Sequence, residues 1–456
     1  MRAMGIDIGT TTISVIMVNG DSGELLGSRT VAHQSFIEGE KSFQRLQDPE
    51  RILGIAKNAA EELAAECGKP DSIGLTGQMH GVLYVDEEGR AVTPLYTWQD
   101  ESGNQTAGDG KTYAQVLREN VGAAAAGYGL TTHFYLQKNG GIPENAKRMT
   151  TISDYVGMRL CGNREPVLAE DMAASWGCFD MEAGAFLEEK LRKLGVDTDY
   201  LPKVCSGHPV IGKAAGIPVT ASLGDNQASF LGSVQELCGT ILLNVGTGSQ
   251  ISMGTGSYYR TEGSIELRPC TEEAYLLAGS SLCGGRAYAM LENFFRQAAE
   301  MRADAGACPS LYAAMERQAR AFLKEKGSSA AWEIATTFAG TRTDPEERGS
   351  IRNVGVDNFT PGAMTVGMIA GILQELHSMY TSMSRMTGEK ALRLVASGNG
   401  IRQNSLMREL AEELFGMPAQ VPVCKEEAAY GAALQSLVSA GCLPDLPTAQ
   451  KLIRYL

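Results

Sequence analysis

Apolar positions along this chain follow two habits that take turns. Short apolar runs rich in Ile, Val and Leu and closed by Gly read as strands, and longer stretches with apolar residues three and four apart read as amphipathic helices. Their alternation over most of the length is the α/β pattern. Pro49–Cys67 is the clearest early helix, with Asp48 as N-cap, Ile52, Leu53, Ala56, Ala60, Leu63 and Ala64 on one face, and Gly68 just beyond its end. Ser72–Leu75 reads as a short buried strand ending at Thr76-Gly77, and Val82–Val85 as another. Ile217–Leu223 is strand-like up to Gly224-Asp225, after which Asn226–Val234 looks helical. Further on, Leu392–Ala396 is a strand, Gly398-Asn399-Gly400 a turn, and Asn404–Phe415 a helix with Leu406, Leu410 and Leu414 at spacing four, stopped by Gly416 and Pro418.

Two distant stretches repeat one plan. Met4-Gly5-Ile6-Asp7-Ile8-Gly9-Thr10-Thr11-Thr12-Ile13-Ser14-Val15 is an apolar run, a Gly-Thr turn and a second apolar run, and Ile241-Leu242-Leu243-Asn244-Val245-Gly246-Thr247-Gly248-Ser249-Gln250-Ile251-Ser252 does the same. β-rich flanks around a turn of glycine and small hydroxyl residues predict a hairpin whose tip offers N–H groups and hydroxyls to an anion. One such turn is usually just a turn. A pair, one in each half and with Asp7 on the first strand, predicts a duplicated fold holding a nucleotide in the cleft between the halves.

Length changes the picture next: 456 residues suit two domains rather than one core. We place them at 1–236 and 237–456, with the boundary near Glu236 between the Asn226 helix and the second hairpin. With 43% hydrophobic and 20% charged residues the composition is that of an ordinary globular protein. The net charge of −13, with Lys and Arg scattered, argues against nucleic acid or an anionic membrane as partner. It also means that a bound polyphosphate needs backbone N–H groups and a divalent cation to hold it. Ten cysteines, among them Cys67, Cys161, Cys178, Cys205, Cys238 and Cys424, include no C-x-x-C pair, so metal and redox motifs fail on spacing. Asp7 interrupts the first apolar run too early for a signal peptide, and no apolar run approaches the roughly 20 residues needed to cross a bilayer. Reduced thiols in the cytoplasm are the simpler expectation.

Several residues have the chemistry for catalysis. Asp225, in Ser222-Leu223-Gly224-Asp225-Asn226-Gln227-Ala228, follows a strand and opens a helix, and its plain reading is a helix N-cap. The sharper reading is a general base that takes the proton from an attacking hydroxyl, with Gly224 letting substrate approach the backbone. Asp7 stands beside the first phosphate turn, where a carboxylate holds Mg²⁺ through water. Otherwise it is a strand-end carboxylate paired with a neighbour, since Ile6 and Ile8 make unpaired burial costly. Gly77-Gln78-Met79-His80-Gly81 reads as a tight loop pushing three large side chains into a cavity, although a lone histidine is more often structural. Trp98-Gln99-Asp100 adds a ring face and polar groups that suit a sugar, against the usual reading of Trp as core. Gly398-Asn399-Gly400 would let a nucleoside lie on the backbone ahead of a helix N-terminus. Glu426-Glu427-Ala428-Ala429-Tyr430-Gly431-Ala432-Ala433 reads as a close-packed helix, and packing alone is the preferred reading.

Together these residues resemble the FGGY carbohydrate kinases over nearly the whole length. Asp7-Ile8-Gly9-Thr10-Thr11 is similar to the family's first phosphate motif, Gly77–Gly81 with Trp98-Gln99-Asp100 to its ketose-binding pair, Gly224–Ala228 to its catalytic-Asp motif, and Gly398–Gly400 with Asn404 to its adenosine region. Phe338-Ala339-Gly340-Thr341-Arg342, then Asp344-Pro345 and Arg348-Gly349, resembles a further family segment. Five motifs in the right order make chance a poor explanation. The resemblance implies an α/β fold of two ribonuclease-H-like domains, as in the actin and hexokinase superfamily, with ATP and Mg²⁺ in an interdomain cleft that closes to exclude water. It departs from the family at Ser102, where relatives often carry Arg, at Asn399, which interrupts the usual glycine run, and around Lys138-Asn139.

What the resemblance implies is an ATP-dependent kinase acting on a terminal hydroxyl of a ketose, with a sedoheptulokinase-like pattern in Thr97–Asp100, Gly127-Tyr128-Gly129 and Asn244–Gln250. A xylulokinase or other pentulose kinase is the nearer alternative. From another class, an actin-like ATPase or nucleotide-binding regulator without a sugar shares the twin hairpins. Asp225 is the expected base, Asp7 and Asp225 the metal carboxylates, and Gln78, Met79, His80, Trp98, Asp100 and Asn226 the sugar contacts. Gly9, Thr10, Thr11, Gly246 and Thr247 are expected to cradle phosphates, and Gly398, Gly400 and Asn404 to border adenosine. The oligomeric state stays open, a homodimer included.

Overall fold

The structure is a computed structural model of the chain and describes residues 1–456 except 262, 273, 302–307, 342, 343 and 345. Arg342 and Pro345 of the fifth motif therefore lie outside the described residues. The chain forms two compact units: the first comprises Met1–Gln235, Arg268–Tyr275 and Glu426–Arg454, the second Glu236–Leu267, Leu276–Lys425 and Tyr455–Leu456. Two stretches expected in the second domain thus belong to the first.

The first unit is built on a sheet in the order Val210–Ala214, Ile217–Thr220, Ser72–Gly77, β1 (Arg2–Ile8), β2 (Thr12–Asn19), β3 (Leu25–Ala32), with Leu223–Gly224 also pairing with Ser72–Gly77. β1 and β2 form the first hairpin, in which Asp7 faces Ser14 and Ile8 faces Ile13; Ser72–Gly77 runs parallel to β1. Because side chains alternate across a strand, Met4, Ile6 and Ile8 go to one face, where they meet Ile52, Ala56 and Leu63 of helix α1 (Pro49–Cys67). Gly5 and Asp7 go to the other. There the helix Glu427–Ser439 comes so close that a Cβ on Gly5 would lie 1.8 Å from the Ala429 carbonyl oxygen, and one on Gly74 1.9 Å from that of Ala432. Through that contact the helix Glu427–Ser439 packs with the first unit.

The second sheet has the order Ile265–Thr271, Ala274–Ser281, Ser249–Thr255, Thr240–Val245, Arg393–Ser397, Ala419–Gln420, and apart from Arg268–Tyr275 its strands belong to the second unit. Thr240–Val245 pairs antiparallel with Ser249–Thr255 and parallel with Arg393–Ser397, as β1 does with β2 and Ser72–Gly77. Each unit therefore carries the same ribonuclease-H-like sheet plan, with the expected hairpin at its centre.

Local expectations meet the structure unevenly. α1 has Asp48 as N-cap, accepting from the Glu50 and Arg51 amides, and Gly68 at its end. Ile217–Leu223 is split into Ile217–Thr220 and Leu223–Gly224, and the following helix is Asp225–Leu231. The Gly398–Gly400 turn opens a short helix, Asn399–Gln403, and in Ser405–Phe415 the buried side is Leu406, Met407, Ala411 and Phe415, leaving Leu410 and Leu414 half-buried. All ten cysteines are free thiols. No helix among the described residues is long and apolar enough to cross a membrane.

Candidate active site

In the first unit, the hairpin tip Gly9-Thr10-Thr11 is buttressed from below. The Gly9 amide donates to the Thr12 carbonyl (3.0 Å), and His33 Nε2 lies 3.2 Å from the Gly9 carbonyl with Nδ1 2.6 Å from Ser35 Oγ. A carbonyl only accepts, so Nε2 carries the proton. Burial also holds the His33 pKa below its ordinary value and keeps the ring neutral.

Just before this tip, Asp7 Oδ1 is buried with no hydrogen-bond partner among the described residues. Burial first, then the charges of Asp225 and Glu426, raise the Asp7 pKa to about 7. Glu426 comes near because the helix that presses on Gly5 begins beside Asp7. Its Oε1 accepts from Thr30 Oγ1 (3.4 Å), Thr30 Oγ1 lies 3.0 Å from Ser14 Oγ, and Ser14 stands opposite Asp7 in the hairpin.

Asp225 is positioned by two buried carboxylates that hold the residues before it. Ser222 Oγ donates to Asp154 Oδ1 (2.6 Å), and the Gly224 amide donates to Asp171 Oδ2 (2.8 Å). Gly224 is the N-cap of the helix and Asp225 its first residue, so the plain expectation of a capping Asp225 is off by one. Asp225 Oδ1 accepts from the Asn226 amide at 2.8 Å. Burial raises the Asp225 pKa, opposed by the guanidinium of Arg268 and nearby backbone N–H groups, while Arg268 Nη1 donates to Asn226 Oδ1 at 3.1 Å.

The sugar-loop residues gather close by. A Cβ on Gly224 would lie 2.7 Å from Met79 Sδ, and Met79 itself is buried. His80 adopts a left-handed backbone (φ 73°), fixed by its amide on Ser175 Oγ (3.1 Å), its Nδ1 on the Ser175 carbonyl (2.6 Å) and its ring stacked on Tyr128 (4.5 Å, 2°). Gln78 Nε2 donates to Gln47 Oε1 (2.9 Å), and Gln47 Nε2 to the Thr10 carbonyl (2.7 Å). Trp98 is 45% exposed, and its indole N–H donates to Thr10 Oγ1 at 3.0 Å. Gly127 (φ 77°) lets the Tyr128 loop pass behind it, since a Cβ there would sit 2.0 Å from the Trp98 carbonyl oxygen.

Asp100 is different. It is buried, with its oxygens accepting from the Arg45 and Ser102 amides (3.1 and 2.9 Å), so it braces the loop that carries Trp98. Ser102, where the family pattern often has Arg, is fully buried as well.

In the second unit the tip Gly246-Thr247-Gly248 is closed by the Gly246 amide on the Gly248 carbonyl (2.9 Å). The start of the helix Gly285–Glu300 binds it through Gly285 N to Gly246 O (2.8 Å) and Arg286 N to Thr247 O (2.9 Å). Gly398 (φ 83°) and Gly400 press on the same hairpin: a Cβ on either would lie 2.6 or 2.7 Å from the Val245 carbonyl oxygen. Asn404 caps the helix Ser405–Phe415 through the Met407 amide (3.0 Å), and its side chain hydrogen-bonds Tyr288, which stacks on Tyr312 (5.5 Å).

The structure brings Asp7, Asp225, Gln78, Met79, His80, Trp98 and Thr10, each singled out in the sequence, into one region of the first unit. Gln47, Tyr128, Asp154, Asp171 and Arg268, which the sequence did not single out as candidate site residues, contact this group or the residues next to it, and Glu426, read as packing only, acts on Asp7 by its charge. Tyr128 stood in a Gly-Tyr-Gly signal beside the family motifs, and Gln47 precedes the Asp48 cap. Arg268 lies 42 residues from Asn226 with no local motif to mark it.

Fold and residues together define a class: the chain belongs to the FGGY family of carbohydrate kinases, whose N-terminal domain matches residues 2–232 and whose C-terminal domain matches residues 242–440. It is thus a sugar kinase, a phosphotransferase with an alcohol acceptor, and the rival of a sugar-free conformational machine is set aside. Among its relatives, mouse (Mus musculus) sedoheptulokinase is 26% identical over 480 residues, covering 95% of this chain and 97% of that protein. A glycerol kinase of Symbiobacterium thermophilum is 25% identical, covering 96% of this chain and 89% of that protein. The crystal structure of a xylulose kinase from Rhodospirillum rubrum superposes with a TM-score of 0.85 at 18% identity, covering 100% of this chain and 93% of that one.

Proposed function

We propose that the protein transfers the γ-phosphoryl group of ATP to a terminal hydroxyl of a ketose, with sedoheptulose as the first candidate. The observation that carries this reading is the convergence, in the first unit, of an acid pair with an aromatic wall. Asp7 and Asp225 are close enough for one charge to raise the other's pKa, and Gly224, beside Asp225, touches Met79 of the loop that carries His80. The full-length relation to a sedoheptulokinase supports the choice of sugar.

Asp225 accepts the proton of the attacking hydroxyl. Its raised pKa makes it a stronger base than a solvated carboxylate, and the Asp154 and Asp171 anchors fix the backbone from which it projects. The exposed Trp98 ring and the His80–Tyr128 stack offer apolar faces to sugar C–H groups, while Gln78 and Asn226 face hydroxyls. In the second unit, the Gly246-Thr247 tip takes phosphate and the Gly398–Gly400 and Asn404 region borders adenosine. The residues present also fit a Mg²⁺ ion. Asp7 Oδ1 is buried and unpartnered, no cluster of three or more metal-binding side chains exists among the described residues, and Mg²⁺ typically keeps its waters and takes one or two carboxylates beside substrate phosphates. When bound with ATP, Mg²⁺ neutralises phosphate charge.

A panel of ketoses, aldoses and polyols, read as ADP released, tests the reading. A preference for the seven-carbon ketose is expected. A preference for a pentulose by tenfold or more, about 1.4 kcal/mol, would move the assignment to a xylulokinase-type activity.

A further inference from the structure

Three amide groups in the first unit form a chain whose direction is fixed by its last member. The Thr10 carbonyl can only accept, so the group of Gln47 that reaches it at 2.7 Å is the NH₂ end. Gln47 Oε1 then faces Gln78, which must present its own NH₂ at 2.9 Å. By elimination the far end of the chain is Gln78 Oε1. That oxygen is buried and has no partner among the described residues; Gln78 is 2% exposed and Gln47 not at all. A buried amide oxygen left without a donor costs roughly 1–3 kcal/mol, so the open end calls for a hydroxyl or N–H that arrives with a ligand. Neither glutamine amide can be flipped to meet a ligand acceptor without turning a carbonyl oxygen toward another carbonyl oxygen.

We infer that Gln47 is a positioning residue that couples sugar binding to the phosphate turn: a sugar hydroxyl donates to Gln78 Oε1, and the Gln78–Gln47–Thr10 chain carries the effect to the hairpin tip. The inference rests on the assignment of Gln78 to the sugar and of Thr10 to phosphate. Hydrogen bonds in a chain polarise one another, so a donor on Gln78 Oε1 strengthens both bonds behind it and firms the Thr10 backbone. Thr10 is tied to the sugar loop a second time through Trp98 Nε1 on its hydroxyl (3.0 Å), so both ends of one residue answer to sugar contacts. Gln47 is held rigidly for the task, because Leu46–Gln47 pairs with Phe36–Ile37 on one side and Leu95–Tyr96 on the other.

The test is the ratio of Mg·ADP dissociation constants without and with saturating ketose, measured by calorimetry on the full chain, with the sugar turned over fastest in the panel. In the wild type, sugar is expected to tighten Mg·ADP by at least about fivefold. In Gln47→Met, which removes both relay bonds at similar volume, and in Gln47→Glu, which keeps an acceptor for Gln78 but cannot donate to Thr10, the ratio should drop below about twofold. An unchanged ratio in folded variants, or no coupling in the wild type, overturns the inference. Monodeoxy analogues of the same ketose, bound to the unaltered protein, serve if the variants do not fold. Loss of coupling with the analogue lacking one particular hydroxyl supports the relay, and coupling retained by every analogue rejects it. Ketose turnover without coupling sinks the relay alone, whereas no turnover of any ketose sinks the function on which it rests.

Discussion

The two hairpins share a backbone plan and differ in what surrounds it. One residue before the end of the incoming strand, the first has Asp7 and the second Asn244. Around the first tip, side chains converge: Gln47 and Trp98 hold Thr10, and His33 holds Gly9. The second tip is held by backbone amides at the start of a helix, and two glycines let a neighbouring turn press against Val245. The two copies keep the same hairpin geometry, and the acid stands on one of them only. A carboxylate at the second tip would add repulsion to a phosphate, and at the first the charge of Asp225 adds to that of Asp7, so that only a bound cation would offset it.

The largest test of that division is Asp225→Asn. It should cost on the order of 10²–10⁴ in kcat with nucleotide binding kept, and near-normal turnover in the folded variant would remove the chemistry from the first unit. Next comes Asp7→Asn, which gives the first hairpin the amide side chain that the second carries. The Mg²⁺ concentration for half-maximal rate should rise about 10- to 100-fold. If it does not move, Asp7 is not what separates the two copies.

Much of this was legible because the signals were local. The hairpins, α1 and the Asp225 helix all announce themselves by a glycine, a cap or a period within a few residues. The split between Ile217–Thr220 and Leu223–Gly224 was not, since it depends on Asp154 and Asp171 drawing Ser222 and Gly224 into hydrogen bonds. Nor was the return of Glu426–Arg454 to the first unit, which follows from a helix lying on Gly5 and Gly74 far away in sequence. The long helix Pro361–Thr387 was readable in principle from Thr360 as N-cap and Pro361 at its first turn, but its burial along one broad side blurs the period. Site residues supplied by distant elements, Arg268 above all, leave no trace in a window.

Smaller effects sharpen the comparison by separating substrates. Trp98→Ala removes an exposed ring from the first unit and should raise the sugar KM about tenfold, for a loss of roughly 1–1.5 kcal/mol, with the ATP KM little changed. Equal changes in both would place Trp98 elsewhere than on the sugar. Gly400→Ala probes the second unit. A Cβ 2.7 Å from the Val245 carbonyl oxygen must push the hairpin aside, so stability should fall by about 1–3 kcal/mol and the ATP KM should rise while the sugar KM holds. A rise confined to the sugar KM would reverse the assignment of the two tips.

The smallest effect is also the most diagnostic of why the copies diverged. With its pKa raised from 3.8 to about 7, Asp7 holds a proton in the folded chain over a pH range where the unfolded chain has lost it. The folded state binds more protons there, so stability falls as pH rises through that window and the loss is complete above the folded pKa. Asp7→Asn abolishes the effect. In metal-free protein its melting temperature should match the wild type near pH 4 and exceed it by a few degrees at pH 8, and parallel curves across that range would refute the burial argument. Adding Mg·ADP at pH 8 should then narrow or invert the gap, because only the wild type has a charge there for the cation to meet. The second hairpin carries Asn244 at the matching place and so avoids this cost.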